Sequence, residues 1–204
     1  MSLSLDLTQP VNLIQSSQVV EQHQELTGVA VFPGSFNPLH EGHRQLCRAA
    51  ASLLRTPVIF EISVANVQKA DLTSAEVSRR LQQFRDVSVA VTRAPLFADK
   101  SRLFPGCPFV VGFDTAERII DPAFYGGSAD ACRDALQKLY DAGHRFLVAG
   151  RLCPQRQRFL NLADLRMAEK FRCLFQEIPE THFRNDVSSS QLRQKQRPCG
   201  ESLS

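Results

Sequence analysis

The feature that most constrains this chain is the alternation of short apolar runs with helical stripes between Gly28 and Pro179. "GVAVFP", "TPVIFEISV", "DVSVAVT", "CPFVVGFD" and "HRFLVAG" are rich in β-branched and aromatic residues. They are continuous in apolar character instead of alternating with polar residues. Strands of that kind are buried on both faces, which is the condition of a parallel sheet covered by helices. The intervening text supplies the helices. Leu46, Ala49, Ala50, Leu53 and Leu54 recur at i, i+3, i+4, i+7 and i+8, one face of an amphipathic helix. Val77, Leu81 and Phe84 mark a second in "TSAEVSRRLQQF", with Thr73 or Ser74 as its N-cap and Glu76 placed for a capping box. Cys132, Ala135, Leu136, Leu139 and Tyr140 mark a third, closed by Gly143. "FRCLFQEIP" reads as a sixth strand, at an edge. The pattern predicts one α/β domain over residues 27–194, with an N-terminal extension over 1–26 and a polar, frayed tail over 195–204.

In such a sheet, ligands bind beyond the carboxyl ends of the strands, near the point where strand order reverses. "FPGSFNPLHEGH", residues 32–43, directly follows the first core strand and is the densest unusual stretch in the chain. Gly34 permits a backbone conformation or a close approach that a side chain would block, and Pro38 stiffens the loop. His43 falls in the first turn of the Leu46 helix, where unpaired N–H groups and partial positive charge favour an anion. Gly42, between the two histidines, leaves room for a phosphate against the backbone. A histidine in a loop is more commonly solvated or structurally bonded than catalytic. Two at i, i+3 can also bind a metal, but no further His or Cys cluster supplies the remaining ligands. The chain has neither G-x-x-x-x-G-K-[ST] nor G-x-G-x-x-G.

Composition excludes several classes. Net charge is only +3 over 204 residues, too slight for a nucleic-acid binder. No apolar run approaches the roughly 18 residues a membrane span requires, and the N-terminus has no basic segment followed by an apolar core. The six cysteines are scattered with no C-x-x-C pair, which points to reduced thiols in the cytoplasm.

"GSFNPLHEGH" resembles the G-[ST]-F-[DN]-P-x-H-x-G-H signature of the nucleotidylyltransferase superfamily, best known in nicotinamide/nicotinate-mononucleotide adenylyltransferases. "DVSSSQLR" resembles the I-S-S-[ST]-x-[IL]-R signature of the same enzymes, although a run of serines is also an ordinary helix cap. "VANVQKADLTSAEVSRRL" is similar to the segment carrying a phosphate-facing lysine and an arginine-bearing helix. It points to Lys69 and to Arg79 or Arg80, arginines that equally suit a solvated face. "FVVGFDTAERIID" is similar to the family's G-x-D element, pointing to Gly112 and Asp114; Asp114 also suits the cap of the helix it precedes. The stretch as a whole looks nearest to a group of bacterial and plant cytidylyltransferase-like proteins.

The resemblance implies a Rossmann-like, doubly wound parallel sheet of the HUP type, covering about residues 28–194. It implies a reaction in which a phosphate attacks the α-phosphorus of a nucleoside triphosphate and expels pyrophosphate. The nucleophile is already ionised, so positioning and charge neutralisation carry catalysis. His40, His43 and Arg193 are the catalytic candidates, the histidines on the α/β-phosphates. Gly34, Ser35, Phe36, Asn37 and Gly42 line the triphosphate pocket. Ser188, Ser189, Ser190 and Arg193 hold the β/γ-phosphates. Lys69 serves the acceptor's phosphate or the triphosphate, and Gly112 with Asp114 holds the nucleotide. Mg²⁺ is expected on the phosphates, with no protein metal site.

The expected partners are ATP and a small phosphorylated acceptor, with no nucleic acid or membrane; a homo-oligomer stays open. The acceptor expected is nicotinamide or nicotinate mononucleotide, on the route to NAD. The family often stacks the pyridine ring on a Trp, and this chain has none; Phe113, Phe124 and Tyr125 are the substitutes, each equally suited to the core. Two other readings stand beside this one. The first is a cytidylyltransferase for a phosphorylated alcohol, whose R-T-x-G-I-S-T-T element "FRNDVSSSQLR" matches poorly. The second is a nucleotide-binding module without turnover.

Overall fold

A computed structural model describes residues 10–15, 18–23, 25–66, 70–153 and 155–184. In chain order the elements are strands β1 (Val11–Gln15), β2 (Gln18–His23) and β3 (Ala30–Pro33), helix α1 (Glu41–Leu54), β4 (Val58–Ser63), α2 (Ser74–Leu81), β5 (Val89–Thr92), α3 (Phe97–Leu103), β6 (Phe109–Gly112) and α4 (Phe113–Ile120). There follow α5 (Ala129–Asp141), β7 (Phe146–Ala149), β8 (Arg151–Cys153), β9 (Arg158–Leu160), α6 (Glu169–Arg172) and β10 (Phe175–Ile178). Short 3₁₀ turns occupy Pro122–Tyr125 and Leu162–Asp164.

Eight strands form one sheet in the order β10-β7-β6-β3-β4-β5-β1-β2. The six from β10 to β5 are parallel, giving the doubly wound Rossmann-like arrangement. The chain moves outward from β3 to β5, then returns and builds β6, β7 and β10 on the other side. Strand order therefore reverses between β3 and β6, whose single registered pair is Val31 with Phe109.

Burial explains why the strands read as unbroken apolar runs. Ala30 and Phe32 pack with Leu46 and Ala50 of α1 and Val77 and Leu81 of α2, whereas Val31 packs with Ala116 and Ile119 of α4 and Leu136 and Leu139 of α5. Val110 against Phe109 and Val111, and Leu147 against Phe146 and Val148, divide between the same two layers. This is the period-2 alternation of a strand covered on both sides. Each fully buried aliphatic or aromatic side chain contributes about 1.5–3 kcal/mol. Local signals act as the sequence indicates. Thr73 Oγ1 accepts from Glu76 N–H and Glu76 Oε2 accepts from Thr73 N–H, both at 3.3 Å. Gly143 follows α5 with φ +72°, the left-handed position that ends helices. Asp114 does not cap α4; Gly112 holds that place and Asp114 lies within the first turn.

Within the stretch read as an extension, β1 pairs antiparallel with β5, from Val11 opposite Thr92 to Ile14 opposite Val89. Val11 and Ile14 are buried, and β2 covers the outer edge of β1. A long exposed edge on β5 would be a template for unwanted pairing; the hairpin removes it. Helix α3 and the β8–β9 hairpin were not anticipated. Residues 1–9 and the 195–204 tail lie outside the described residues. No described helix is long and apolar enough to cross a membrane.

Candidate active site

The loop between β3 and α1 opens at the carboxyl end of β3, beside the reversal point. Gly34 N–H donates to Glu61 C=O in β4 (3.0 Å), which extends the strand pairing one residue further. The chain then turns at Phe36, whose φ of +42° is unusual for a residue with a side chain. The ring drives inward and meets Phe32, Phe60 and Phe84 edge-on at 5.4, 5.1 and 5.5 Å. A Cβ on Gly34 would stand 2.6 Å from that ring. The close approach expected at Gly34 thus comes from within the fold, and Phe36 can offer a ligand its backbone alone.

His40 is the N-cap of α1 and His43 sits one turn in, with Gly42 buried between them. The imidazoles stack at 3.7 Å with 27° between their planes, and His43 also meets the Phe36 ring edge-on at 5.1 Å. His40 N–H donates to His43 Nδ1 (3.2 Å). An Nδ1 that accepts must be unprotonated, so the proton of a neutral ring lies on Nε2. Burial first, and then repulsion from His40, drives the His43 imidazole down to about 3. Burial also lowers His40. Among the described residues no hydrogen bond of ordinary geometry reaches the buried His40 Nδ1, an atom of the sort a ligand satisfies. The pair is therefore a neutral hydrogen-bonding surface at a helix N-terminus.

Helix α2 and the turn after it grip this loop from behind. Arg79 Nη1 and Nη2 donate to Asn37 Oδ1, each at 3.3 Å. Arg80, almost fully buried, donates from Nη1 to Ser35 C=O at 3.1 Å. Gln83 Oε1 accepts from Leu39 N–H (2.8 Å) and its Nε2 donates to Phe36 C=O (3.0 Å). Arg79 and Arg80 were singled out from the sequence. Gln83 was not, because an amide in "RRLQQF" has no signature of its own. A second unanticipated group is buried beside the loop: Lys100 Nζ reaches both carboxylate oxygens of Glu61 at 2.8 Å, and Thr92 Oγ1 donates to Glu61 Oε1 at 2.6 Å.

Across the reversal point, on the α4 side, lies a cavity of about 190 Å³ bordered by Asn66, Phe97, Thr115, Arg118, Phe124 and Tyr125. Of the three aromatic candidates, Phe113 is a core residue. Tyr125 donates its hydroxyl to Ile119 C=O (2.8 Å), and burial pushes its phenol up to about 12. Phe124 is half-buried and carries the Arg118 guanidinium 5.6 Å from its ring centre. Gly112 ends β6, and Asp114, half exposed, pairs with Arg151 Nη1 at the start of β8.

Lys69, Ser188, Ser189, Ser190 and Arg193 lie outside the described residues. Phe183, close to the end of what is described, packs against the layer that holds α1 and α2, the side of the sheet on which the histidine loop sits. Among the described residues, no three of His, Cys, Asp or Glu converge as they would to hold a metal.

Comparison with known proteins agrees with this arrangement. No match was found among curated proteins. The family described as cytidylyltransferase-like matches residues 31–195, from the strand that launches the histidine loop through the serine–arginine stretch near the C-terminus. By that span and by its fold, the chain belongs to the cytidylyltransferase-like family, within the nucleotidylyltransferase superfamily.

Proposed function

We propose that the protein transfers AMP from ATP to a small phosphorylated acceptor, nicotinamide or nicotinate mononucleotide, as a step in making NAD. The observation that carries this reading is the neutral His40–His43 pair at the N-terminus of α1, beside the reversal point. An acceptor phosphate oxygen attacks the α-phosphorus, the bond to the bridging oxygen breaks, and pyrophosphate departs with the electron pair. No proton need leave the nucleophile, so no general base is required. His43 Nε2–H and His40 donate to the α/β-phosphate oxygens as charge develops there, with the partial positive charge of the helix N-terminus beside them. Ser188, Ser189, Ser190 and Arg193 are assigned to the β/γ-phosphates, and Lys69 to the acceptor's phosphate or the triphosphate. Mg²⁺ bound with the nucleotide would supply charge neutralisation at the phosphate oxygens.

The cavity bordered by Phe124 and Arg118 supports a planar aromatic acceptor. Stacking on Phe124 replaces the Trp that this chain lacks. The family's own description favours a second reading, transfer of CMP from CTP to a phosphorylated alcohol. Pyrophosphate release separates the two. ATP and CTP are each tested with nicotinamide mononucleotide, nicotinate mononucleotide, phosphopantetheine and phosphocholine. Release with ATP and a pyridine mononucleotide alone is expected; dependence on CTP supports the second reading. Nucleotide binding with no release from any pair would make the protein a binding module.

A further inference from the structure

Gln83 makes one more contact that the transfer chemistry does not use: its own carbonyl accepts from Arg44 Nη2 of α1 (2.9 Å). One residue in the turn after α2 thus holds both ends of the segment 36–39 and the second turn of the helix that presents the histidines. We propose that Gln83 is a positioning residue, an amide clamp that fixes the backbone around Pro38 so that His40 N–H stays on His43 Nδ1 and the His43 proton stays on Nε2.

The argument is one of donors and acceptors. Leu39 N–H needs an acceptor and Phe36 C=O needs a donor, a few ångströms apart on one strand of chain. A primary amide offers both in a single planar group. Phe36 is already held in an unusual conformation with its ring in the core, so the loop has one end anchored by packing. The other end, Leu39 and the His40 cap, depends on Gln83. Arg79 and Arg80 fix Asn37 and Ser35, upstream of the cap. Loss of the clamp frees the cap, and the His40 N–H that dictates the His43 tautomer moves with it. Misplacement of a reacting group by about 1 Å can cost roughly 100-fold in rate.

This role rests on the nucleotidyl-transfer reading, and the test separates the two. Gln83→Leu removes both bonds. Gln83→Glu keeps the size and the acceptor but loses the donor, with Arg44 and Arg80 close by to hold it ionised. Three readouts are taken on the full chain: the thermal midpoint, kcat and KM for ATP with the active acceptor, and the ¹⁵N shifts of the His43 imidazole. Expected is a fall in kcat of roughly 10- to 100-fold for both variants, in line with that sensitivity to misplacement, with a smaller change in KM. The His43 ring should leave the pure Nε2–H pattern for a mixture of tautomers. If Gln83→Leu does not fold, Gln83→Glu carries the same comparison. A folded variant with kcat within about twofold of wild type, well short of even the roughly tenfold lower end of the expected loss, overturns the clamp while leaving the transfer reading intact. So does an unchanged His43 spectrum. A wild-type protein that neither binds ATP nor releases pyrophosphate with any acceptor overturns the transfer reading, and this role falls with it.

Discussion

Replacing His43 with Asn should make the fold less sensitive to acid. Asn offers a carbonyl oxygen near the position of Nδ1 and can still accept from His40 N–H, but it does not titrate. In the wild type, His43 is held down to about 3 against an ordinary value of 6.5. Between those two values the unfolded chain binds a proton that the folded chain refuses, so stability falls as pH drops through 6.5. The contribution is fully present above 6.5. Each pH unit is worth about 1.36 kcal/mol, so the 1.5 units from 6.5 to 5 cost about 2 kcal/mol. The ring is only half-buried, and solvent screening reduces this to about 1–2 kcal/mol. His40, also lowered by burial, is common to both proteins and drops out of the difference. Urea unfolding at pH 8, 7, 6 and 5 is the assay. The wild type should lose about 1–2 kcal/mol more than His43→Asn between pH 8 and 5, with the divergence beginning near 6.5. Parallel curves would mean that the folded protein protonates His43 freely, and the neutral donor surface would be refuted.

Other consequences follow from single contacts. Gly34→Ala places a Cβ against the Phe36 ring and should destabilise the fold by about 1–3 kcal/mol; adding Phe36→Leu should recover part of that loss, and strict additivity in urea midpoints would refute the contact. Lys100→Met leaves Glu61 buried with its cation gone and should cost about 3–5 kcal/mol. The Lys100→Met/Glu61→Gln pair should cost less than Lys100→Met alone, as read by thermal unfolding. Under the proposed acceptor, Phe124→Ala removes a stacking face worth about 1–3 kcal/mol. It should raise KM for the pyridine mononucleotide about 5- to 150-fold at constant KM for ATP; an unchanged acceptor KM moves the acceptor out of that cavity. His43→Ala should abolish most turnover in a protein that still folds, and near-normal rates would remove its assigned role.

What could be read from the chain is what is decided locally. β3, β4, β5, β6 and β7 announce themselves because both faces of each are buried, so few polar residues interrupt the runs. The Thr73–Glu76 box and Gly143 act through bonds within one turn. What stayed hidden depends on distant partners. Val11 and Ile14 look like scattered aliphatics until β5, some 75 residues later, supplies the edge they cover. Helix α3 disguises itself with Lys100, a residue type that belongs on surfaces until Glu61 accepts it inside. Gln83 is one more polar residue after a helix until Leu39, 44 residues earlier, presents it with an N–H to accept. The histidine motif marks the candidate site from local sequence alone, while the close approach at Gly34 comes from Phe36 two residues later, whose ring the fold sets beneath it.

The strand order explains why one motif can serve a reaction between two anions. Elements leaving β3 pass to the face of α1 and α2, and those leaving β6 pass to the face of α4 and α5. The reversal between β3 and β6 therefore separates the histidine pair, at the start of α1, from the cavity bordered by Phe124 on the α4 side. Under the proposed transfer, each holds one phosphorylated partner, and the groups that meet at the seam repel one another. A fixed double positive charge at the seam would relieve that repulsion, but it would bind substrate and pyrophosphate as firmly as the transition state and so gain nothing in kcat. Neutral imidazoles with directed N–H groups hold the ground state weakly and interact more strongly as charge grows on the oxygens they face. Under the proposed transfer, the low affinity of His43 for a proton serves the reaction, because it keeps the site's strongest response for the moment the α-phosphorus changes partners.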